Sequence, residues 1–228
     1  MAYLQSLPRP EAVLKENYVR FVESPGIQRF LERGGSICIA CNGRPLEDLL
    51  VLAELGHQRF GEKYVQEGAK KLQNLYQHYP EIRRQYFGKL QTNKIKQVVT
   101  HFDHVESVAS KREIDHLVKY RNTNNEFDTK SFFLQVNIGA EPQKNGVSPD
   151  RAREVLNYAT SKGLQIDGLM GIPPKLQEPK SYFKALRKLA DQLALPGCQM
   201  GFSKDYKEAI AQGSTHLRIG SLVFDGCK

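Results

Sequence analysis

The sequence predicts a single (β/α)₈ barrel, an α/β fold of the TIM-barrel type in which eight parallel strands alternate with helices. Eight short apolar segments are each separated from the next by a helix-sized segment, and this strict alternation implies parallel strands joined by right-handed crossovers. A chain of 228 residues lies within the size range of one such barrel. A doubly wound open sheet is the alternative, but no strand is followed by the Gly-x-Gly-x-x-Gly pattern of a dinucleotide-binding sheet.

Each predicted strand is an apolar run bounded by Gly, Pro or polar residues, and each predicted helix has apolar residues three or four positions apart. The strands are Ser36–Cys41, His57–Gly61, Arg84–Gly88, His104–Val108, Ser131–Ile138, Leu164–Met170, Gly197–Phe202 and Thr215–Ile219. The helices are Leu46–Leu55, Tyr64–Tyr79, Asn93–Thr100, Lys111–Arg121, Arg151–Lys162, Ser181–Leu193 and a short one from Lys204. The polar run Arg121–Lys130 is predicted to be a loop.

The whole chain, residues 1–228, is predicted to form one barrel domain with an extra N-terminal helix at about residues 11–33. Apolar residues recur at helical spacing through this segment, with a break at Pro25-Gly26 and an end at Gly34-Gly35. The predicted outer helices have no unusually wide apolar face, so a monomer is expected.

The charge balance is basic, with 33 Lys and Arg residues against 25 Asp and Glu residues, a formal charge of +8 and a pI of about 9.3. Such a balance favours anionic ligands or nucleic acid. The lysines fall mostly on predicted helices, however, without a basic run or interleaved aromatic residues. A solvated surface therefore explains most of them, and nucleic acid is not the expected partner.

The chain contains no run of about 18 apolar residues and no secretory signal pattern, so neither a membrane span nor export is predicted. Cys38 and Cys41 form a Cys-x-x-Cys pattern, but no second pair or His cluster follows, and a metal site is not predicted. Cys38 lies inside an apolar run and is expected in the core, with a redox dithiol as the alternative. We expect a protein of a reducing compartment, the cytoplasm.

Two strand ends near the C-terminus are suited to an anion. The seventh strand runs through Gly201 to Ser203, which is predicted to start a helix with Asp205, and the eighth strand runs into Gly220-Ser221. Unpaired N–H groups and the dipole at a helix N-terminus favour negative charge. Arg218 points to the same side of its strand as Gly220 and supplies a fixed positive charge. Ordinary helix caps would explain the same residues without a ligand.

The barrel prediction supports the ligand interpretation independently. Ligands of (β/α)₈ barrels bind at the carboxyl ends of the strands, and phosphate commonly binds after strands seven and eight. The same rim contains Lys63, after the second strand. A phosphate site, an amine and a donor to a ring nitrogen suit an aldehyde cofactor such as pyridoxal 5′-phosphate, although a sugar phosphate or a nucleotide would fit these residue types as well.

Seven runs in the chain resemble those of the pyridoxal phosphate homeostasis proteins of the YggS/PROSC type. The similarity covers nearly the whole chain after about residue 34. The matching runs are Phe60–Glu67, Phe87–Lys94, Leu134–Ile138, Glu141–Gly146, Gly168–Pro173, Met200–Asp205 and Gly213–Gly220. The resemblance implies a fold type III barrel like the N-terminal domain of alanine racemase.

The resemblance also implies a site. Arg218 would face the pyridine nitrogen, and the phosphate would be held by Ser203, Gly220 and Ser221 (usually Thr in the family), with Met200 nearby. Proteins of this family bind the cofactor without a known turnover reaction and act in vitamin B6 homeostasis, which makes apoenzymes that depend on the cofactor possible recipients.

The chain departs from the family at two positions. The first strand of these proteins ends in a run whose lysine forms the Schiff base, and Asn42 occupies that place here. The family has Asn after Phe-Gly-Glu, where this chain has Lys63. One hypothesis is that the two residues have exchanged places, so that Lys63 bonds to the cofactor covalently or as an ion-pair partner. The alternative is a divergent paralogue that binds another phosphate ligand, or a protein partner, without aldehyde chemistry.

An enzyme acting on amino acids is the third function class. It would need an imine-forming lysine and an opposing acid or base, and no candidate for the latter stands out in the sequence. Racemase-type activity is therefore not expected.

Overall fold

The computed structural model describes residues 10–121, 127 and 130–227. Within them, eight parallel strands form a closed barrel in the order β1 to β8, with β1 paired to β8, which confirms the predicted fold. The strands are β1 (Ser36–Ala40), β2 (Arg59–Glu62), β3 (Arg83–Tyr86), β4 (His104–Val108), β5 (Ser131–Val136), β6 (Gly168–Gly171), β7 (Gly197–Gln199) and β8 (His216–Ile219).

Helices precede, separate and follow the strands. They are α1 (Pro10–Val22), α2 (Pro25–Glu32), α3 (Leu46–Glu54), α4 (Val65–His78), α5 (Ile95–His101), α6 (Lys111–Arg121), α7 (Ala152–Ser161), α8 (Lys180–Gln192), α9 (Tyr206–Ala211) and α10 (Ser221–Phe224). A 3₁₀ turn, Pro149–Arg151, leads into α7. The predicted loop at 121–130 falls mostly outside the described residues. No helix in the part of the chain described here is long and apolar enough to cross a lipid bilayer.

Two strands, β6 and β7, are three residues shorter than predicted, the largest differences among the eight strands. β6 begins at Gly168 rather than Leu164, because the Leu164 N–H bonds back to the Ala159 carbonyl and completes the end of α7. β7 ends at Gln199 rather than Phe202, because the backbone turns at Gly201, whose φ is +97°. In both places the apolar run is longer than the strand: it begins before β6 and ends after β7.

Polar side chains occupy part of the barrel interior, whereas apolar side chains fill the layer between strands and helices. Phe60, Leu72 and Phe102 are fully buried in that outer layer. Gln85 and Glu106 are almost fully buried and lie on neighbouring strands. Buried charged groups are rare unless they are paired. A buried carboxylate such as Glu106 therefore indicates a functional site inside the barrel rather than an ordinary core.

The N-terminal segment forms two helices, α1 and α2, separated at the predicted break. Asn17 of α1 donates from Nδ2 to the carbonyls of Val223 (3.2 Å) and Asp225 (2.8 Å), which attaches the first helix to the C-terminal segment. The Tyr18 hydroxyl lies 3.2 Å from His57 Nδ1, and His57 Nε2 lies 2.8 Å from the Arg59 carbonyl. These contacts hold a neutral imidazole with Nε2 protonated.

The His57 contacts predict that acid destabilises the fold. Burial lowers the pKa of His57 from 6.5 to about 4. The unfolded chain therefore binds a proton on this residue first, and its contribution to stability is lost as the pH falls from about 6.5 to about 4, up to about 3 kcal/mol. Urea unfolding at pH 7 and at pH 5 should show this loss. His57→Gln keeps a donor and an acceptor and should have a shallower pH dependence; an unchanged dependence would contradict the assignment.

Candidate functional site

A cavity of about 1370 Å³ opens at the carboxyl ends of the strands, and we call it the mouth cavity. Its walls come from the ends of β1, β3 and β8, the segment 172–179 after β6, and the segment between β7 and α9. Residues of the wall include Asn42, Phe87, Phe202, Arg218 and Gly220. This is the end of the barrel at which the sequence predicted a ligand.

Arg218 of β8 crosses the barrel interior to Glu106 of β4. Its Nη2 lies 3.1 Å from Glu106 Oε2 and donates to Gln199 Oε1 of β7 at 3.3 Å. Because β4 and β8 lie on opposite sides of an eight-stranded barrel, this ion pair passes through its centre. Arg218 is 7% exposed and Glu106 is 1% exposed, so both charges are desolvated and each compensates the other.

Two aromatic rings hold the Arg218 guanidinium. Its central carbon lies 4.2 Å from the ring centroid of Phe87 and 5.0 Å from that of Phe202. The buried Arg218 Nε has no hydrogen-bond partner among the described residues, which is unusual for a buried donor. A ligand acceptor at the base of the mouth cavity, which Arg218 lines, would satisfy a guanidinium donor.

Glu106 is the charge partner that the sequence analysis missed. Burial raises the pKa of Glu106, and Arg218 opposes that rise. His104 Nε2 lies 3.6 Å from Glu106 Oε1, but burial keeps the pKa of His104 well below its usual value, so this imidazole is neutral. Arg218 is thus the positive partner of Glu106. The sequence contained only a single acidic residue within this strand, with no local pattern to pair it with Arg218.

Two backbone N–H groups converge on one hydroxyl beside Arg218. The N–H groups of Gly220 and Leu222 donate to Ser203 Oγ at 3.1 and 3.2 Å. They belong to the start of α10, where N–H groups have no partner within the helix. An anion oxygen at this point would accept the same protons, and we call these two N–H groups with Ser203 Oγ the phosphate cup.

The helix predicted to start at Ser203 with Asp205 begins later than Ser203 and has Asp205 at its N-cap. The helix α9 begins at Tyr206, because the Asp205 carboxylate accepts the Phe202 N–H at 2.6 Å and holds the preceding turn. Ser203 lies within that turn and directs its hydroxyl to the end of β8. The two strand ends that the sequence predicted to suit one anion thus meet here, and Ser203 contributes its side chain to the junction.

Gly201 makes this turn possible. Its φ of +97° favours glycine, and an added Cβ would lie 2.5 Å from Ala209 Cβ and 2.8 Å from Leu217 Cδ2. Its carbonyl accepts the Arg218 N–H at 3.0 Å, so the end of β7 is attached to β8. This turn positions both Phe202 and Ser203 against the cavity.

Asn42 and Lys63 are adjacent, as expected for residues that end neighbouring strands. Asn42 lines the mouth cavity, and its Oδ1 accepts the Lys63 N–H at 2.8 Å. The Lys63 side chain is exposed, with Nζ 5.6 Å from the ring centroid of Tyr64, and does not line the cavity. The structure thus brings the Lys63 backbone, rather than its ammonium group, to the site.

Of the remaining predicted residues, Ser221 lines the mouth cavity and Met200 lies behind it. Ser221 is exposed and lines the mouth cavity next to the phosphate cup. Met200 is fully buried, and its carbonyl accepts the Ser214 hydroxyl at 2.7 Å, so it supports the end of β7 without lining the cavity. Cys38 is buried, as predicted. No group of three or more potential metal ligands occurs in the described ranges of the chain.

A buried lysine organises the turn that carries Asn42. Lys71 of α4 donates from Nζ to the carbonyls of Cys41 (2.7 Å) and Arg44 (3.0 Å) and pairs with Glu62 at 2.9 Å. Burial alone would lower the pKa of Lys71, but its bonds to the two carboxylates Glu62 and Glu67 outweigh burial and raise it. Because Lys71 sits mid-helix among other lysines, the sequence pattern did not distinguish it.

The chain is similar to known proteins over most of its length. Residues 41–226 match the family model described as alanine racemase, N-terminal domain. The chain is 33% identical over 214 residues to the pyridoxal phosphate homeostasis protein of Aquifex aeolicus, with 87% of this chain and 92% of that one covered. It is 34% identical over 195 residues to the protein of the same name from Pasteurella multocida, with 79% and 82% covered.

Solved structures show the same barrel. PipY of Synechococcus elongatus PCC7942, in a structure with pyridoxal 5′-phosphate (PLP) bound, superposes with a TM-score of 0.77 at 26% identity, over 95% of this chain and all of PipY (100%). Alanine racemase of Corynebacterium glutamicum superposes with a TM-score of 0.69 at 13% identity over 95% of this chain and 60% of the enzyme, a likeness of fold alone. The chain belongs to the pyridoxal phosphate homeostasis protein family, one of the groups built on the alanine racemase N-terminal barrel.

Proposed function

We propose that this chain binds PLP in the mouth cavity and acts in vitamin B6 homeostasis as a holder of the cofactor rather than as an enzyme. One observation carries the proposal: the buried Arg218 and the phosphate cup open into the same cavity. A ligand with a phosphate at one end and a ring acceptor at the other would use both. The names of the relatives and the PLP-bound PipY structure support the same ligand.

The residues present fit the two anchoring groups of PLP. The N–H groups of Gly220 and Leu222 would hold the phosphate, with the Ser203 hydroxyl and Ser221 beside them. The guanidinium of Arg218, which lines the cavity, would donate to the pyridine nitrogen, since all its N–H groups are donors. When bound, PLP would bring a reactive aldehyde to the cavity.

The non-enzymatic role is supported by two carboxylates near the cavity, each of which already has a partner within the protein. Glu106, the buried acid beneath the cavity, is paired with Arg218, and the Asp205 carboxylate accepts the Phe202 N–H. Both carboxylates thus have positional roles. The relatives are named for homeostasis and not for a reaction. We therefore propose binding and release of the cofactor, with PLP-dependent apoenzymes as recipients.

Ser203→Asp tests the phosphate cup. A carboxylate at this position would accept the Gly220 and Leu222 N–H groups permanently and repel a phosphate. Calorimetric titration should show that PLP affinity falls at least about tenfold, because two like charges about 4 Å apart cost a few kcal/mol at a protein surface. Thermal stability should stay equal or rise slightly, since a negative charge at a helix N-terminus is favourable.

Ser203→Asn is the matched control, because the Asn side chain is similar in size to that of Asp but is uncharged. It should weaken PLP binding less than Ser203→Asp does. Equal affinity in the wild type and both variants would place the phosphate elsewhere. Saturable binding of inorganic phosphate or a sugar phosphate, with no binding of PLP, would favour the alternative that the site serves another phosphate ligand.

A further inference from the structure

No lysine amine among the described residues is directed to the part of the mouth cavity where the aldehyde of PLP would lie. In PLP the aldehyde carbon lies across the ring from the pyridine nitrogen and next to the phosphate arm. If Arg218 holds the nitrogen and the phosphate cup holds the phosphate, the aldehyde faces the outer part of the cavity.

The end of β1 supplies an amide to this region. Asn42 lines the mouth cavity, and its Oδ1 is held by the Lys63 N–H at 2.8 Å. The nitrogen of a carboxamide is not a nucleophile at neutral pH, because its lone pair is delocalised into the carbonyl. Asn42 can donate a hydrogen bond to a ligand but cannot form a covalent bond to an aldehyde carbon.

The two lysines nearest to Asn42 are engaged elsewhere. Lys63 directs its ammonium towards the face of Tyr64, which is 56% exposed, and is absent from the cavity wall. Lys71 is 9% exposed, with Nζ bonded to Glu62 and to the carbonyls of Cys41 and Arg44. Burial lowers the pKa of Lys71, but the carboxylates of Glu62 and Glu67 raise it more, so the amine stays protonated and has no lone pair for an aldehyde.

Three lysines line the mouth cavity, and two of them follow Ser203 of the phosphate cup in the chain. Lys204 follows Ser203 directly, Lys207 is at the start of α9, and Lys175 is in the segment after β6. All three are exposed. Positive charge next to the phosphate cup suits a dianion, and it acts on any phosphorylated ligand alike.

We propose that the site holds phosphorylated B6 compounds by non-covalent contacts alone and accepts the alcohol and amine forms as readily as the aldehyde. This inference rests on the proposed function. The contacts that the chain offers, at the phosphate and the ring nitrogen, are common to PLP, pyridoxine 5′-phosphate and pyridoxamine 5′-phosphate. A site without a covalent bond gains nothing from the aldehyde, so the three ligands are equivalent to it.

Calorimetric titration of the full chain with each of the three compounds, in an amine-free buffer, tests the inference. We expect dissociation constants within about threefold of one another, which corresponds to less than about 1 kcal/mol. Borohydride treatment of the PLP complex followed by peptide mapping should label no lysine. PLP binding more than about thirtyfold tighter than the alcohol form, with the label on Lys63 or another lysine, would overturn the inference and leave the proposed function intact. Failure of all three to bind would refute the proposed function itself.

Asn42→Lys supplies the missing amine, with Asn42→Gln as the amide control. The introduced amine would condense with the PLP aldehyde, forming a carbon–nitrogen double bond while the aldehyde oxygen leaves as water. We expect borohydride to label that amine, with a gain of at least about tenfold in PLP affinity and none for the alcohol form. Asn42→Gln should bind the three ligands equally. If Asn42→Lys binds PLP without labelling, the aldehyde lies elsewhere and the inference fails.

Discussion

Arg218→Met is expected to abolish PLP binding and to lower the free energy of unfolding by about 3–5 kcal/mol. The variant removes the guanidinium between the Phe87 and Phe202 rings and leaves Glu106, 1% exposed, without its positive partner. An uncompensated buried carboxylate costs far more than a lost surface charge. Urea unfolding and calorimetric titration measure the two effects separately.

The double variant Glu106→Gln/Arg218→Met separates ligand binding from stability. Removing both charges eliminates the uncompensated carboxylate, so most of the lost stability should return, whereas PLP binding should not. Recovery of binding in the double variant would show that Arg218 acts only by compensating Glu106. A single variant that is as stable as the wild type would contradict the buried ion pair.

Gly88→Ala should destabilise the barrel by at least about 2 kcal/mol. A Cβ at Gly88 would overlap the carbonyl oxygen of Lys63 and contact the ring of Tyr86. The obstacle is backbone rather than the end of a flexible side chain, so the turn after β2 must move. That turn contains the Lys63 N–H to which Asn42 is bonded, and ligand binding should weaken with stability.

Gly220→Ala is the matched control for Gly88→Ala. The nearest atoms to an added Cβ at Gly220 are the Ala40 carbonyl oxygen at 3.5 Å and Ala40 Cβ at 3.6 Å, which are ordinary contacts, and the backbone there is not left-handed. Its free energy of unfolding should change by less than about 1 kcal/mol. Equal effects in the two variants would contradict the close approach at Gly88.

The sequence was sufficient for the topology because alternation of apolar runs and amphipathic segments determines strand order in a parallel barrel. The limits of individual strands were less predictable. Leu164 and Ile166 are buried like strand residues, yet they precede β6, because burial alone does not require ladder hydrogen bonds. β7 likewise ends before its apolar run does, because the backbone turns at Gly201, which has a positive φ.

The candidate site was predictable where it depended on position along a strand. Arg218, Gly220 and Ser221 come at the end of β8 and face the mouth cavity together, as the sequence predicted. The contribution of Glu106 depends on contact across the barrel between strands far apart in sequence, and no local pattern contains that information. The same limit applies to Ser203, whose hydroxyl bonds to Gly220 rather than to its own helix.

A crystal structure of the chain with PLP tests the central claim most directly. We expect phosphate oxygens bonded to the N–H groups of Gly220 and Leu222, the ring nitrogen facing Arg218, and no bond between the ligand's aldehyde carbon and a lysine. A ligand bound outside the mouth cavity, or a ring nitrogen turned away from Arg218, would contradict it.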